Sequence, residues 1–177
     1  MSIVTKRGDH GITALMYNRP VSKCHPRVEA YGAVDELNAA LGLARATAPD
    51  DRLRERLAPI QKDLVVLMGE LATAVGDLPR YAKDGHSRTT PAMTDLLEKW
   101  IAELESAKVS PGGWAMPGTS AASAALDLAR TVCRRAERRA CSLQEAGQLD
   151  SPEILTYLNR LSDLLWLLAR WVEAQQT

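Results

Sequence analysis

The sequence predicts an all-α fold, a bundle of five helices that follows an extended N-terminal segment. Over most of the chain, apolar residues recur at alternating steps of three and four, which is the spacing of one helix face. Proline and glycine interrupt this pattern at a few separated points, and the alternation typical of strands is scarce. With 177 residues, 46% of them hydrophobic and 25% charged, we expect residues 1–177 to form one globular domain.

The chain divides into an N-terminal arm, residues 1–27, and a helical bundle, residues 28–177. The arm lacks a helical period and contains Gly8, Gly11, Pro20 and Pro26. The first helix is expected over about 27–48, and Pro49-Asp50-Asp51 separates it from the second. An apolar stripe from Leu53 to Leu71 marks the second helix, and Pro59 should kink it or mark its true start.

Three further helices are predicted after the polar residues 76–90, which should form the longest loop. The third begins with Thr90 as N-cap and Pro91 at the first helical position, and ends near Ala107. The fourth begins after Thr119 or Ser120. The fifth begins at Asp150-Ser-Pro-Glu153, again with proline at the first helical position, and its buried stripe is Ile154, Leu158, Leu161, Leu165 and Leu168.

Charge and cysteine content narrow the classes of function. Basic and acidic residues balance at 22 each, which argues against a nucleic-acid partner. No apolar run approaches the roughly 18 residues that cross a bilayer, and the first residues lack an apolar signal core, so we expect a cytoplasmic protein without a membrane partner.

Cys133 and Cys141 are too far apart on one helix for a disulfide and should be core residues. A metal site at Cys24-His25 lacks a second Cys/His pair.

The fourth predicted helix carries a run of arginines, Arg130-Thr-Val-Cys-Arg134-Arg135-Ala-Glu137-Arg138-Arg139. Helical spacing places Arg130, Arg134, Glu137 and Arg138 on one side, next to the apolar face. A solvated surface is one interpretation. The other is a phosphate site, since arginine suits bidentate recognition of phosphate. In the fifth helix, Asn159 should be exposed or hydrogen-bonded, because a buried unpaired amide is costly.

A second chemical signal lies in the arm, at Thr5-Lys6-Arg7-Gly8-Asp9-His10-Gly11-Ile12-Thr13. Two glycines, two threonines and a lysine allow backbone N–H groups and hydroxyls to converge on an anion. The segment lacks the Gly-Lys-Ser/Thr ending of a P-loop. The alternative is an ordinary Gly-Asp-His-Gly turn between short strands.

Three separated segments resemble the PduO-type ATP:cob(I)alamin adenosyltransferases. They are Thr5-Lys-x-Gly-Asp-x-Gly-x-Thr13, Arg130-Thr-Val-Cys-Arg-Arg-Ala-Glu-Arg138 and Tyr157-Leu-Asn-Arg-Leu-Ser-Asp163. Val21-Ser-Lys23, Pro26-Arg-Val-Glu-Ala-Tyr-Gly32, Val34-Asp-Glu-Leu-Asn38, Ile60-Gln61 and Pro117-Gly118 also match. The similarity runs in order from Thr5 to Arg170.

The resemblance implies a five-helix bundle that assembles as a homotrimer with active sites between subunits. It implies transfer of the adenosyl group of ATP to the Co(I) of cobalamin. Mg²⁺ is expected to bind through the ATP phosphates; its protein ligands stay open, with Glu137 as one candidate. One subunit would bind nucleotide through Thr5, Lys6, Gly8, Asp9, Gly11, Thr13 and Lys23. A neighbour would complete the site with Arg134, Glu137, Arg138 and Asn159, and Asp35 and Arg130 would form an intersubunit ion pair beside the corrin.

On the corrin side, the resemblance points to Trp114, Met116 and Trp166. The family places an aromatic residue, normally phenylalanine, before the Pro-Gly turn, where its bulk excludes water from the lower face of the corrin. Trp114 stands there, and Trp166 stands where the family favours phenylalanine. The alternatives are a hydrophobic plug over the bundle end for Trp114 and core packing for Trp166. A flavoprotein reductase and a B12-dependent enzyme are the implied protein partners.

Several positions depart from the family pattern. The chain has no phenylalanine, and Val65 replaces one of the family's phenylalanines. Tyr17-Asn18-Arg19-Pro20 stands in place of Gly-Gly-x-Arg, Thr119 replaces a glycine, and Asp127 stands where the family often has histidine. A non-catalytic relative that carries adenosylcobalamin or nucleotide to a partner enzyme is therefore one alternative. A nucleic-acid-binding bundle and a purely structural oligomer are two others.

Overall fold

The computed structural model describes residues 4, 6, 8–107 and 114–175. A short antiparallel hairpin comes first, with β1 over Ile12–Leu15, a 3₁₀ turn over Met16–Asn18 and β2 over Arg19–Ser22. Six α-helices follow in the described residues: α1 Pro26–Ala46, α2 Asp51–Leu71, α3 Leu78–Lys83, α4 Pro91–Ser106, α5 Ala121–Glu145 and α6 Glu153–Ala174. A further 3₁₀ turn over Val75–Asp77 leads into α3.

The described residues form six α-helices where the sequence predicted five; the five longer ones lie where helices were expected, and α5 is central among them. It packs on one side against α1 and on the other against α6, while α2 packs on α1 and α4 packs on α6. The apolar stripes predicted from the sequence face this core. All six stripe residues of α2 and all five of α6 are fully buried, which is how an amphipathic helix gains most of its stability.

The sequence missed the short helix α3, which lies within the predicted loop 76–90. Leu78 and Tyr81, one turn apart, are its buried residues, and six residues are too few to show a helical period. Behind α3, Glu70 is buried and accepts hydrogen bonds from Arg88 and from the backbone of Thr89. Since Arg88 also pairs with Asp150 at 2.9 Å, the segment after α3 is tied to α2 and to the start of α6.

Two local predictions need correction. Helix α2 begins at Asp51 and runs through Pro59 as one helix, so Pro59 does not mark its start. Pro152 is the N-cap of α6 and not its first helical residue. Because the Pro152 side chain cannot accept a hydrogen bond, the Oγ of Ser151 accepts one from Glu153 N at 3.2 Å. The predicted start of α4 is confirmed: Thr90 is the N-cap and Pro91 the first helical residue, although the Thr90 side chain forms no capping hydrogen bond. Ser120 caps α5 with a reciprocal capping box to Ser123.

The hairpin shows where the glycine segment lies relative to the strands of the described residues. The turn at 8–10 precedes β1 and does not connect two strands in the described residues, because the connection between β1 and β2 is the 3₁₀ turn. In the described part of the chain, none of the helices combines the length and the apolar character that a membrane span requires.

Candidate functional site

Glu137 on α5 and Asn159 on α6 meet at the surface of the contact between these helices. The Asn159 Nδ2 donates to Glu137 Oε1 at 3.0 Å. Asn159 is exposed and Glu137 is half-buried, so Asn159 is both exposed and partnered, as its polarity requires. The hydrogen bond fixes the orientation of the Glu137 carboxylate and leaves the Asn159 carbonyl oxygen near Arg160 Nη1, at 3.5 Å.

Four of the five arginines of α5 fall into two pairs with different surroundings. Arg135 pairs with Glu36 of α1, and Arg139 lies 3.6 Å from Glu29 of the same helix. Arg134 and Arg138 are one turn apart on the side that carries Glu137. Both are exposed, and neither has an ion-pair partner among residues 4, 6, 8–107 and 114–175. Two free guanidiniums beside a carboxamide can bind a polyanion with several charge-assisted hydrogen bonds.

The arm brings its lysine and its glycines together. Lys23 N donates to Gly11 O at 2.9 Å, which closes the end of the hairpin over the turn at 8–10. The Lys23 ammonium lies over Gly8, where a Cβ atom would come within 2.8 Å of Nζ. Gly11 has φ +74°, a left-handed value that suits glycine.

Of the other predicted arm residues, Asp9 is exposed in the turn and Thr13 pairs with Val21 in the hairpin. Lys6 is exposed with φ 57°. Thr5 lies outside the described residues. In the described chain, no hydrogen bond or ion pair joins this arm to Arg134, Glu137, Arg138 or Asn159. One subunit therefore presents two separate groups of predicted nucleotide residues.

Asp35 and Arg130 do not pair within one chain. Asp35 is exposed on α1. Arg130 is half-buried on α5, with its Nε 3.6 Å from Asp127 Oδ1, and this Nε is buried without a hydrogen bond. Asp127 in turn accepts from Arg170 Nη2 at 2.6 Å. The sequence had no signal for this connection, because Arg170 is 43 residues from Asp127 and resembles an ordinary surface arginine near a helix end.

The predicted corrin residues lie at the surface. Trp114 is 91% exposed and Met116 is 74% exposed, which contradicts the alternative that Trp114 plugs the end of the bundle. Trp166 of α6 is half-buried: it packs against the core and also lines a cavity of about 350 Å³. Ile101, Glu105, Arg160, Asp163 and Leu167 form the rest of the wall. Trp166 thus packs against the core, as one of the two interpretations expected, and its role towards a corrin stays a prediction.

The unusual segment Tyr17-Asn18-Arg19-Pro20 adopts a backbone that glycine favours. Tyr17 and Asn18 have φ values of 62° and 58°, in the left-handed region that tyrosine rarely enters. Contacts compensate, since Tyr17 Oη donates to Asp84 at 3.0 Å and the Arg80 guanidinium lies 4.1 Å from the Tyr17 ring centroid. Arg19 binds Asp77 with both Nε and Nη2, so this arginine is directed towards α3.

A buried arginine joins the arm to the bundle. Arg27 donates to Leu71 O at 2.9 Å, at the carboxyl end of α2, and to Gln148 O in the turn between α5 and α6. Burial lowers the pKa of Arg27, and the helix-end carbonyl oxygen is a favourable acceptor for its charge. The first residues of α1, directly after β2, are thereby held against the rest of the bundle.

Two side chains of the α5–α6 region have pKa values raised by burial. Burial raises the pKa of the Cys133 thiol, which donates to Leu158 O at 3.2 Å. Cys133 is therefore the core residue that was predicted, while Cys141 is half-buried. Burial also raises the pKa of Tyr157 well above its usual value. Its hydroxyl donates to Asp63 at 3.0 Å and joins α6 to α2 two residues before Asn159.

The amino-acid sequence of the chain is similar to those of known adenosyltransferases. The family model described as cobalamin adenosyltransferase matches residues 3–172. The corrinoid adenosyltransferase PduO of Salmonella typhimurium is 39% identical over 171 residues, which cover 96% of this chain and 49% of that protein. The chain thus spans about half the length of this relative. A corrinoid adenosyltransferase of Mycobacterium leprae is 38% identical over 174 residues, with 95% of this chain and 89% of that protein covered.

Solved structures show the same fold. A variant of the PduO-type ATP:corrinoid adenosyltransferase of Lactobacillus reuteri, complexed with ATP, superposes with a TM-score of 0.87 and 31% identity, over 99% of this chain and 96% of that one. Another variant of that protein, complexed with cobalamin and ATP, also gives a TM-score of 0.87 and 31% identity, over 99% and 92% of the two chains.

Proposed function

The chain belongs to the cobalamin adenosyltransferase family, and on this premise we propose that it transfers the 5′-deoxyadenosyl group of ATP to Co(I) of cob(I)alamin. The C5′–O bond of ATP breaks, a Co–C bond forms, and the products are adenosylcobalamin and triphosphate. The observation that carries the proposal is the free pair Arg134 and Arg138 beside the hydrogen-bonded Glu137 and Asn159. This arrangement can stabilise the negative charge that the departing triphosphate develops.

The nucleotide site combines the arm of one subunit with α5 and α6 of another. The arm contributes Thr5, Lys6, Gly8, Asp9, Gly11, Thr13 and Lys23, and the neighbour contributes Arg134, Glu137, Arg138 and Asn159. Two facts support this division: the arm has its own lysine over the glycine turn, and the two groups make no contact in one described chain. Mg²⁺ would enter with the phosphates of ATP and would neutralise part of their charge, and Glu137 would be the carboxylate of α5 available to hold it.

The assembly is a homotrimer, in which Asp35 of one subunit binds Arg130 of the next. Asp35 is exposed, and Arg130 Nε is buried without a hydrogen-bond acceptor. Asp35 has no ion-pair partner in the described residues, and Arg130 has only the 3.6 Å contact with Asp127, so the carboxylate of a neighbouring subunit can add a second partner to this arginine. A closed ring of identical subunits would place the same contact at every interface.

The corrin lies against Trp114, Met116 and Trp166, with Asp35 and Arg130 at its edge. An exposed indole at Trp114 and a half-buried one at Trp166 offer flat apolar surfaces. Such surfaces exclude water from the axial position of cobalt, which makes Co(II) easier to reduce. The nucleophile is the cobalt of the substrate, so the reaction needs no serine, cysteine or histidine nucleophile.

A flavoprotein reductase would supply the electron to cob(II)alamin, and a B12-dependent enzyme in the cytoplasm would receive the product. We propose residues 1–27 as the nucleotide-binding arm of a single adenosyltransferase domain. The charge balance of the chain supports a function without nucleic acid.

One observation favours a second candidate function, a non-catalytic relative that binds adenosylcobalamin or nucleotide for a partner enzyme. Arg19 is held by Asp77 and is not free to bind a phosphate. The test is an anaerobic optical assay with chemically reduced cob(I)alamin, MgATP and the purified protein. Loss of the cob(I)alamin band with formation of a light-sensitive corrinoid supports the transferase. Binding of ATP or corrin that raises Tm without any turnover supports the carrier.

A further inference from the structure

Arg170 of α6 is a buried arginine whose contacts lead to two residues of the proposed corrin side. Its side chain is 2% exposed, and arginine is almost never buried without partners. The Nη2 atom donates to Asp127 Oδ2 at 2.6 Å and to Glu173 Oε1 at 3.1 Å, and Nε lies 2.9 Å from Glu173 Oε2. Asp127 is itself only 4% exposed, so this ion pair is screened from solvent.

The first connection leads to Trp166. Arg170 and Trp166 are one turn apart on α6, and the guanidinium carbon lies 5.8 Å from the indole ring centroid. The indole contacts the core, and it also lines the cavity between α4 and α6. Arg170 therefore restricts the ring of Trp166 from within the protein.

The second connection leads through Asp127 to Arg130. The two carboxylate oxygens of Asp127 are divided between these arginines, Oδ2 to Arg170 and Oδ1 to Arg130 Nε at 3.6 Å. Asp127 and Arg130 are three residues apart on α5, hence on adjacent turns of one face. Because Arg170 binds one oxygen tightly, it sets the carboxylate orientation that Arg130 encounters.

We propose that Arg170 is a positioning residue for the corrin: it orients Trp166 directly and Arg130 through Asp127. This inference rests on the proposed function, since it assigns Trp166 and Arg130 to the corrin side. A stabilising role alone is a weaker account. Apolar residues of similar volume generally replace a buried ion pair without loss of stability, and α5 and α6 already share an extensive apolar contact.

A double variant, Asp127→Leu with Arg170→Met, separates positioning from stability. It removes both charges of the buried Asp127–Arg170 pair together, so neither of the two is left buried without the other. We expect a folded helical protein by circular dichroism, with a KM for cob(I)alamin about tenfold higher and a KM for ATP within about twofold of wild type. Titration of cob(II)alamin in the presence of MgATP, followed by absorbance, should show a similar rise in Kd without any turnover.

The matched control is Glu70→Gln with Arg88→Met, which removes another buried carboxylate–arginine pair. Glu70 is 3% exposed and Arg88 binds it, but neither lines the cavity at Trp166, and their side-chain hydrogen bonds and ion pairs in the described residues involve only each other, Thr89 and Asp150. We expect the corrin KM and Kd of this variant to equal those of wild type. A control that weakens corrin binding as strongly as the first double variant would overturn the assignment to Arg170.

The remaining outcomes are equally decisive. A folded Asp127→Leu/Arg170→Met protein with unchanged corrin KM and Kd overturns the inference and leaves the proposed function intact. If that double variant fails to fold, Arg170→Lys replaces it, because lysine keeps the charge but lacks the planar fork. An unchanged corrin Kd for Arg170→Lys also overturns the inference. A wild-type protein that neither converts nor binds cobalamin overturns both proposals.

Discussion

Asn159 donates its side-chain amide to the Glu137 carboxylate across α5 and α6 at 3.0 Å. The pair is in contact with solvent and lies beside Arg134 and Arg138, which have no ion-pair partner within the described part of the chain. The hydrogen bond orients both groups without burying them. Replacing either one should therefore change ligand binding more than it changes folding, because exposed substitutions usually have small effects on stability.

Asn159→Asp places a second carboxylate against Glu137 where the nucleotide phosphates are proposed to bind. Repulsion between like charges should raise the KM for ATP about tenfold or more, with Tm close to wild type. Ala174→Asp adds the same charge at the exposed far end of α6 and should leave the KM for ATP unchanged. Initial rates at varied ATP concentration measure both variants, and an unaltered KM in Asn159→Asp contradicts the assignment.

Mixing two inactive variants tests the division of the site between subunits. Lys23→Ala impairs the arm and Arg134→Ala impairs α5, and each alone should lose about 10²-fold or more in kcat/KM. After the variants are unfolded and refolded together in equal amounts, about a quarter of the interfaces combine two intact halves. We expect a corresponding recovery of activity. No recovery in verified mixed trimers would place both halves in one subunit.

The control for Arg134 in that experiment is Arg139, five residues along the same helix. Arg139 lies 3.6 Å from Glu29 of α1 and faces away from Asn159. Arg139→Ala should retain near wild-type turnover, which shows that loss of an α5 arginine alone does not abolish activity.

Trp114 is expected to act on the corrin and not on the fold. Because its side chain is 91% exposed, Trp114→Ala should keep the wild-type Tm. With cob(II)alamin and a mild reductant, its rate should fall about tenfold or more, while ATP affinity is retained. Trp114→Phe preserves an apolar ring and should restore most of the rate. Equal rates for the alanine and wild-type proteins under these conditions are incompatible with the proposed role.

The raised pKa of Asp63 predicts how the stability of the fold depends on pH. Partial burial raises its pKa above 3.8, opposed by the hydrogen bond from Tyr157. A carboxyl group with a raised folded-state pKa holds its proton more tightly in the folded state. Its contribution to stability is therefore present below pH 3.8 and is lost as pH rises through the folded value. Relative to wild type, Asp63→Asn should gain Tm as pH rises from about 3.5 to about 6.

The pKa of Asp77 is shifted in the opposite direction to that of Asp63, so the two carboxyl groups predict opposite pH trends in stability. The hydrogen bond from Arg19 lowers the pKa of Asp77, so deprotonation of this carboxyl stabilises the fold as pH rises to 3.8. As pH rises towards 3.8, the Tm of Asp77→Asn should therefore fall further and further below that of wild type. Thermal melts of the three proteins across this range measure both trends, and trends of the same sign contradict the assigned causes.

The long helices were predictable because each has a sustained apolar stripe. Leu53 to Leu71 in α2 and Ile154 to Leu168 in α6 keep their spacing for several turns, and every stripe residue is buried. Helix α3 was not predictable, because Leu78 and Tyr81 are its only two buried residues. Its position depends on contacts with chain segments distant in sequence.

The polar site was predictable in part. The charge pattern placed Arg134, Glu137 and Arg138 on one side of α5, and only the resemblance connected them with Asn159. Nothing local distinguishes Arg134 from Arg135, yet Arg135 pairs with Glu36 of α1. Likewise, the burial of Arg170 depends on Asp127 on another helix, which a helical period in α6 alone does not reveal.

The most direct test of the central claim is the product ratio of the anaerobic reaction between cob(I)alamin and MgATP. Transfer of the adenosyl group predicts equal molar amounts of light-sensitive adenosylcobalamin and intact triphosphate, with no diphosphate formed from ATP, and neither product in the absence of cobalamin. ATP cleavage to diphosphate and phosphate, or absence of any alkylated corrinoid, would contradict adenosyl transfer by this protein.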